Sequence, residues 1–258
     1  MKWNLVYFDR EFRFFHLTST GQIMVKFGNL VFHYRNFLFP LFYAMLFIPS
    51  PPVFSNYVVA AVLGLLIAFK GEAIRGMTIG LVHIIRAGRQ RRIYAEGLFT
   101  NGIYAHCRNP LYIGNITILF GLGIVANSLI FMLVCIPLFA FLYQAIVIAE
   151  EDFLQNRFGE AYAEYKSSSN RWFPKLDGLI TTIREMHFNW KRVFIEEYNS
   201  TYLWMTGAVL LIMRNYRLRE GSEAFYHRLP VFAVMLVTLL LLFFIIRYLK
   251  KSGTWKGD

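Results

Sequence analysis

Residues 111–149 read LYIGNITILFGLGIVANSLIFMLVCIPLFAFLYQAIVIA and contain no charged side chain. A bilayer core about 30 Å thick is crossed by roughly 20 helical residues. The stretch is therefore long enough for two crossings, Leu111 to Asn127 and Leu129 to Ala149, joined at the short polar link Asn127-Ser128. This pattern predicts a helical hairpin that spans a membrane.

The composition of the whole chain points to the same class of protein. Of its 258 residues, 56% are hydrophobic and only 17% are charged, against roughly 25% charged residues in soluble domains. This composition excludes intrinsic disorder, collagen-like repeats and disulfide-stapled secreted folds. We predict an all-α fold, an integral-membrane helical bundle of about 5–6 transmembrane helices with cytosolic amphipathic segments.

Further apolar runs flank the hairpin on both sides. Leu229 to Ile246 holds 18 residues without a charge, and Pro230 suits the first turn of a helix there. A first span is predicted at Phe37 to Ile48, provided that its helix begins near Leu30. Tyr202 to Met213 is a weaker candidate because it is short for a bilayer crossing.

Three charged residues interrupt the second apolar region of the chain. Lys70, Glu72 and Arg75 lie between the runs Tyr57 to Phe69 and Met77 to Ile85. Charges so close to an apolar core lie either at the inner membrane interface or against a polar cavity beside a site. Both interpretations stay open at the level of sequence, and the number of helices here is ambiguous.

The predicted spans divide the chain into four parts. Residues 1–29 form a cytosolic or interfacial segment, 30–86 the first transmembrane helices, 87–176 a central core, and 177–258 an extension with one or two spans. The first residues mix charged and aromatic side chains without an uninterrupted apolar stretch. No secretory signal peptide is therefore predicted.

The distribution of arginine predicts an orientation in the membrane. The loop from Arg86 to Arg108 carries five arginines and one acid, Glu96, whereas the links at Pro49 to Asn56 and at Asn127-Ser128 carry no basic residue. Short loops rich in Lys and Arg stay in the cytoplasm. We therefore predict a cytosolic N-terminus and a cytosolic position for the stretch Glu150 to Trp190.

We attribute most of the formal charge of +11 to basic residues that set the orientation in the membrane. No nucleic-acid partner is therefore predicted. The region Arg214 to Arg228 does not fit the pattern. A full span at Tyr202 to Met213 would place its four arginines outside, whereas a partial or buried helix would leave them inside. Sequence leaves these alternatives open.

Several classes of functional site are not predicted. The two cysteines, Cys107 and Cys135, are expected at different depths, which argues against a disulfide and a thiolate metal site. No Gly-rich phosphate loop, serine elbow or dinucleotide-binding fingerprint occurs. No metal centre is expected, because five of the six histidines form no i, i+4 pair and no cluster with acids: His16, His33, His83, His187 and His227.

The polar loop before the hairpin has local features of a ligand site. Residues 96–115 read EGLFTNGIYAHCRNPLYIGN. Gly102 suits a turn with positive φ, and Asn109 before Pro110 marks the start of the next helix. The exposed amides of this segment suit an anion or a polar ligand, although an ordinary interfacial turn has the same pattern. Gly114 and Gly121 permit close approach of another helix or of a planar ligand.

The segment after the hairpin begins with two neighbouring acids. Glu150 and Glu151 lie at the predicted membrane edge, where an ionised carboxylate requires water or a partner. Aromatic and apolar residues then recur at helical spacing, and Gly159 interrupts that helix. A solvated helix with an aromatic stripe facing the membrane would show the same pattern.

Together the two segments resemble the core of the isoprenylcysteine carboxyl methyltransferase and phospholipid methyltransferase superfamily. The first motif of that superfamily, G-x-Y-x-x-x-R-(H or N)-P-x-Y-x-G, is matched by Gly102, Tyr104, Arg108, Asn109, Pro110, Tyr112 and Gly114. The second, E-E-x-x-L followed by F-G-x-x-Y-x-x-Y and a later Arg and Pro, is matched by Glu150, Glu151, Leu154, Phe158, Gly159, Tyr162, Tyr165, Arg171 and Pro174. The resemblance covers about 80 residues and marks 87–176 as a methyltransferase-like core.

The resemblance implies an integral-membrane enzyme that binds S-adenosylmethionine at the cytosolic face and methylates a lipophilic lipid, isoprenoid or prenylated substrate. It implies catalytic roles for Arg108, Arg171 and Glu150. The implied cofactor-binding residues are Gly102, Tyr104, Arg108, Asn109, Pro110, Tyr112, Gly114, Glu150, Glu151, Tyr162 and Tyr165. Membrane lipids are the expected surroundings and partners, and no protein partner is implied.

The roles within this set follow from side-chain chemistry. The carboxylates of Glu150 and Glu151 suit ribose hydroxyls or the ammonium of the methionine moiety, and Arg108 suits a carboxylate of cofactor or substrate. Tyr104 and Tyr112 suit the adenine or the sulfonium. Arg171 is expected to orient an acidic group of the substrate.

The chain departs from the family pattern in two places. Asn109 stands where the carboxyl methyltransferases have histidine, which favours the wider phospholipid-methyltransferase-like branch. Some 84 residues follow Pro174 that the family core does not require.

Two alternative functions stay open. One is an NADPH-dependent membrane sterol or enone reductase, which has a similar Arg-x-Pro-x-Tyr motif. The other is a non-enzymatic scaffold or transporter subunit.

Overall fold

The structure, a computed structural model, describes residues 19–81, 93 and 97–255. Its helices are α1 (Ser19–Met45), α2 (Tyr57–Leu81), α3 (Ile103–His106), α4 (Pro110–Val125), α5 (Ile136–Phe158), α6 (Glu160–Ser168), α7 (Leu179–Glu185) and α8 (Trp190–Lys251). A π-helical turn, Phe131–Cys135, leads directly into α5. No β-strand occurs in these ranges, so the predicted all-α membrane bundle is confirmed.

The predicted central hairpin is formed by α4 and by the π-turn with α5. Its link is Asn127, one of the residues with positive φ, at 52°. The Asn127 side chain accepts hydrogen bonds from the N–H groups of Val53 and Phe54 at 2.9 and 2.8 Å, and donates to the Phe54 carbonyl at 2.8 Å. One amide therefore fixes both this hairpin and the link that precedes α2.

The second apolar region is a single continuous helix, α2, from Tyr57 to Leu81, while residues 82–85 of the predicted run lie outside the described residues. Lys70, Glu72 and Arg75 lie within α2 because lysine, glutamate and arginine are good helix formers. Helix α2 runs antiparallel to α4 at close range. A Cβ placed on Gly64 would lie 2.6 Å from the carbonyl oxygen of Gly121, so both positions require glycine.

Helix α1 begins well before the predicted first span, Phe37 to Ile48, and ends at Met45. Its crossing of the membrane stays a prediction. The helix packs antiparallel to α5, where a Cβ on Gly28 would lie 2.0 Å from the carbonyl oxygen of Ala145. The ring of Phe39 lies 5.5 Å from Phe139 and 5.3 Å from Tyr143 between the two helices. These rings form part of a hydrophobic core that all the large helices share.

The 62-residue helix α8 is two helices joined at a kink. Gly221, with φ 85° and ψ 173°, separates a first half, residues 190–220, from a second half, residues 222–251. The halves are antiparallel, since the Tyr198 ring lies 5.3 Å from Phe243 and the Lys250 ammonium donates to the Ile195 carbonyl at 3.0 Å. The weaker candidate span at 202–213 is therefore the middle part of a longer helix, residues 190–220.

Three of the described helices are long and apolar enough to cross a membrane: Tyr57–Leu81, Phe131–Phe158 and Trp190–Lys251, the last containing both halves of α8. With α1, the shorter apolar α4 and the two halves of α8 taken separately, the described residues form six helical segments of 16 residues or more. How many of them cross the membrane stays a prediction. The protein is an integral membrane protein.

The turn of α8 lies at the same end of the bundle as the Asn127 link. Tyr57, at the start of α2, donates a hydrogen bond to the Glu220 carboxylate at 3.1 Å. Arg214, Arg217, Arg219 and Arg228 flank this turn, at the end opposite to the segment that follows α5. The Arg-rich stretch 86–92 lies outside the described residues, so the orientation in the membrane stays a prediction.

The close crossing of α2 and α4 gives a stability prediction. In Gly121→Ala the new methyl group would lie 2.6 Å from the Gly64 carbonyl oxygen, so the helices must separate. We expect a loss of about 1–3 kcal/mol, as overpacking produces, seen as a lower midpoint of thermal unfolding in detergent. Gly207→Ala, in α8 with nothing within 4 Å of the added Cβ, is the matched control. Equal midpoints for the two variants would contradict the crossing.

Candidate cofactor site

The two motif segments lie side by side at one end of the bundle. The Arg108 N–H donates to the Asn170 carbonyl at 2.9 Å, and the Lys175 N–H donates to the His106 carbonyl at 3.0 Å. Asn109 adds a side-chain hydrogen bond to the Arg171 carbonyl at 3.1 Å. Backbone pairing thus joins the loop before α4 to the segment after α6.

The carboxylate of Glu151 lies where these segments meet. Arg171 donates to both of its oxygens, from Nε at 2.9 Å and from Nη2 at 2.7 Å, and Arg108 donates to one of them at 3.1 Å. Lys166 lies 3.8 Å from the same carboxylate. The hydrogen bonds to Glu151 raise the pKa of Arg171 above its usual value. Three cations therefore surround one acid, which leaves the site with an excess of positive charge.

Arg108 is the central residue of this ion-pair group. Its Nη1 donates to the carbonyl oxygens of Lys166 and Ser169, the former at 2.9 Å. Its Nε is buried and has no hydrogen-bond partner among the residues that the structure describes. A buried donor without a partner is costly, so a ligand acceptor at this position would be favoured.

Glu150 points in another direction from its neighbour, since consecutive residues on a helix are about 100° apart. The hydroxyl of Tyr112, on the first turns of α4, donates to the Glu150 carboxylate at 2.7 Å. The Tyr112 ring lies 5.1 Å from the ring of Tyr143 on α5. This second pair joins the two motifs directly across the hairpin.

Three further tyrosines of the motifs form a small buried cluster. The Tyr165 hydroxyl donates to the Tyr104 carbonyl at 2.9 Å, and the Tyr162 ring lies 6.0 Å from that of Tyr165. Gly159, with φ 52°, allows the sharp turn from α5 into α6 that brings them there. All three rings are buried.

The remaining motif residues shape the backbone. Gly102, with φ 63°, precedes α3, and Pro110 begins α4 directly after Asn109. Gly114 faces α2: a Cβ there would lie 2.4 Å from the Arg75 side chain and 2.9 Å from the Gly71 carbonyl oxygen. The close approach that Gly114 permits is thus with a helix, and its predicted contact with a cofactor stays a prediction.

Sequence reasoning missed several residues of this region. Trp172 donates from Nε1 to Gln144 at 2.8 Å, and His106 bonds to the Lys175 carbonyl and to Thr182, both at 2.9 Å. Gln144 is an amide isolated within an apolar span, and such a residue indicates a buried polar contact. It is the feature of the sequence from which the bond to Trp172 could have been predicted. Cys107 is buried, and this burial raises the pKa of its thiol, so it stays neutral.

Comparison with known proteins supports the motif assignment. A family model described as phospholipid methyltransferase matches residues 88–161. This segment is therefore similar to that family. The match includes both motifs up to Gly159, the start of α6 and the hairpin between the motifs, so the resemblance drawn from them is confirmed.

Two curated relatives match over 108 residues each, which is 39% of this chain and 50% of each relative. One is the cobalt-zinc-cadmium resistance protein CzcN of Cupriavidus metallidurans, at 39% identity. The other is the nickel-cobalt-cadmium resistance protein NccN of Alcaligenes xylosoxydans xylosoxydans, at 30%. The matched segment spans half the length of these relatives. No solved structure matches the chain.

The ion pairs of Glu151 give a testable prediction. Glu151→Gln leaves Arg108 buried without its counter-ion, and loss of one partner of a buried pair costs about 3–5 kcal/mol. Partial exposure of Arg171, whose side chain is 32% exposed, places the expected loss at the lower end of that range. We expect faster proteolysis after residue 159 and a lower midpoint of unfolding.

The control is Glu164→Gln, an exposed acid on α6. It removes the same charge without breaking an ion pair to Arg108 or Arg171. If both variants unfold like the unaltered protein, Glu151 does not hold the segments together.

Proposed function

We propose that the protein is an integral-membrane methyltransferase that uses S-adenosylmethionine and acts on a lipophilic substrate at the cytosolic face. One observation carries the proposal. Arg108 and Glu151, 43 residues apart in the chain and each from a different motif of the phospholipid methyltransferase family, meet in a buried ion pair. The neighbouring Tyr112–Glu150 pair joins the same two motifs.

The side chains present suit the parts of this cofactor. The unpartnered buried Nε of Arg108 suits the carboxylate of the methionine moiety, and the excess of positive charge around Glu151 favours that anion. The Glu150 carboxylate suits the ribose hydroxyls or the ammonium group. The Tyr112 ring suits the adenine or the cationic sulfonium.

S-adenosylmethionine supplies a methyl group on a positively charged sulfur, ready for direct displacement by a nucleophile. The task of the protein is then to position donor and acceptor, which contributes several kcal/mol to such reactions, roughly 7–11 in well-oriented cases. Arg108 and Glu150 hold the donor in this proposal. Arg171, whose side chain is 32% exposed beside the buried pair, orients an acidic group of the acceptor.

The membrane position of the site favours a lipophilic acceptor. Glu150 and Glu151 lie near the end of the apolar helix α5, so a substrate held in the bilayer reaches them without leaving it. Asn109 in the motif favours the phospholipid-methyltransferase-like branch over carboxyl methylation of a prenylated cysteine. Label transferred from radioactive cofactor to extracted lipids, compared with a prenylated cysteine analogue, distinguishes these acceptors.

Equilibrium binding tests the cofactor assignment. We expect detergent-purified protein to bind radiolabelled S-adenosylmethionine saturably. Glu150→Gln removes a charged hydrogen-bond acceptor worth about 1.5–3 kcal/mol, which corresponds to affinity weaker by roughly 10- to 150-fold.

Asp152→Asn, on the same helix but outside the motif pair, is the matched control and should bind as the unaltered protein does. Saturable binding of NADPH instead would favour a membrane reductase. Binding of neither ligand would contradict both enzymes and favour a scaffold or transporter subunit.

The names of the two relatives, both metal resistance proteins, suggest a second candidate function. We propose that methylation by this protein contributes to resistance against divalent metals such as cobalt, zinc and cadmium. Removal of the gene from its host should lower the metal concentration that stops growth, and the unaltered gene should restore it. Restoration by a Glu150→Gln variant that lacks methyl transfer would show that resistance does not depend on this chemistry.

A further inference from the structure

A second buried polar cluster lies between α2, α4 and the first half of α8. Arg75 donates to both oxygens of Glu197, from Nε at 2.9 Å and from Nη2 at 2.7 Å. Its Nη1 donates to the side-chain oxygen of Asn115 on α4. The side chains of Arg75 and Glu197 are 13% and 4% exposed, so this ion pair is sequestered inside the bundle.

A neighbouring contact ties the same two helices together. Glu72, one turn before Arg75, accepts hydrogen bonds from the Thr201 hydroxyl and from Trp204 Nε1, the latter at 3.0 Å. Trp204 is buried, and its ring lies 5.1 Å from Phe69 on α2. Glu72 and Arg75, two of the three charged residues of α2 that are ambiguous in the sequence, are therefore bound by the first half of α8.

This cluster connects to the candidate cofactor site through side chains. Asn115 lies three residues after Tyr112 on α4, a spacing that places both side chains on the same face of the helix. The Tyr143 ring lies 5.1 Å from the ring of Tyr112, whose hydroxyl donates to Glu150 at 2.7 Å. A series of neighbouring side chains, Glu197, Arg75, Asn115 and Tyr112, thus runs to the carboxylate that our proposed function places on the cofactor.

The motif glycine Gly114 makes this connection possible. Arg75 crosses α4 directly over Gly114, where a Cβ would lie 2.4 Å from the Arg75 side chain. Any larger residue would therefore displace the guanidinium from Asn115.

We propose that Glu197 and Arg75 are positioning residues of the cofactor site. They fix Asn115 and the face of α4 that it shares with Tyr112, and so hold the Tyr112 hydroxyl and the Glu150 carboxylate in their binding position. The residues after Pro174, which lie outside the family match, then form part of the functional unit. The identity of the ligand in this inference rests on the proposed function. The coupling between Glu197 and Tyr112 does not depend on it.

The first test measures binding of S-adenosylmethionine by the full-length protein. Glu197→Gln keeps the shape of the side chain and removes its charge. We expect affinity weaker by roughly 2- to 30-fold, the range of coupling between connected sites. Glu196→Gln is the matched control, since Glu196 is 55% exposed and only reaches Lys250 at 3.5 Å; it should bind normally.

Asn115→Ala provides a second variant if Glu197→Gln does not fold. It interrupts the series of contacts at its middle and leaves the ion pair of Arg75 intact. The same loss of affinity is expected. Binding unchanged in every folded variant overturns the positioning role.

The second test requires no ligand. The thermal stabilities of Glu197→Gln, Tyr112→Phe and the double variant form a double-mutant cycle, and we expect their effects to be non-additive. The cycle of Glu196→Gln with Tyr112→Phe should be additive. Additive effects of Glu197→Gln and Tyr112→Phe overturn the inference, whether or not the cofactor binds. Non-additive effects in a protein that does not bind S-adenosylmethionine contradict the proposed function and support the coupling.

Discussion

The carboxylate of Glu151 is shared by two arginines that come from different parts of the chain. A carboxylate buried at the end of an apolar helix is stable only when its charge is compensated, and Arg108 and Arg171 provide that compensation. The same bonds bring the loop before α4 against the segment after α6. Local electrostatics at one residue therefore determines where both motifs lie, and the Tyr112–Glu150 pair can form beside them.

The membrane imposes a second constraint, on the backbone. In lipid, helices approach one another by packing small residues, because burial of apolar side chains gains little over contact with lipid. Gly64 and Gly121 allow α2 and α4 to meet closely, and Gly28 does the same for α1 and α5. Close packing of α2 on α4 is also what brings Arg75 within reach of Asn115. The polar contacts thus depend on the glycine contacts.

The central hairpin and its polar link could be predicted from sequence. Two charge-free runs joined by the short polar link Asn127-Ser128 fit a bilayer best as two antiparallel helices. The motif residues likewise indicated which side chains would converge. The long helix ending at Gly221 could not be predicted from residues 202–213, since Arg214, Arg217 and Arg219 end the apolar run in the sequence although the helix continues through them. The partners of Arg75 were equally hidden, because Glu197 lies 122 residues away in the chain.

These hidden contacts change how the C-terminal extension should be understood. Its second half has a mostly lipid-facing surface and packs on the first half. The first half, in contrast, inserts Glu197, Thr201 and Trp204 against charged residues of α2. Without these partners, Glu72 and Arg75 would leave uncompensated charge within a membrane helix, at a cost of several kcal/mol. The charged residues of α2 are therefore compensated by a segment that lies outside the family match, so the extension is part of the same packed bundle as the motif residues.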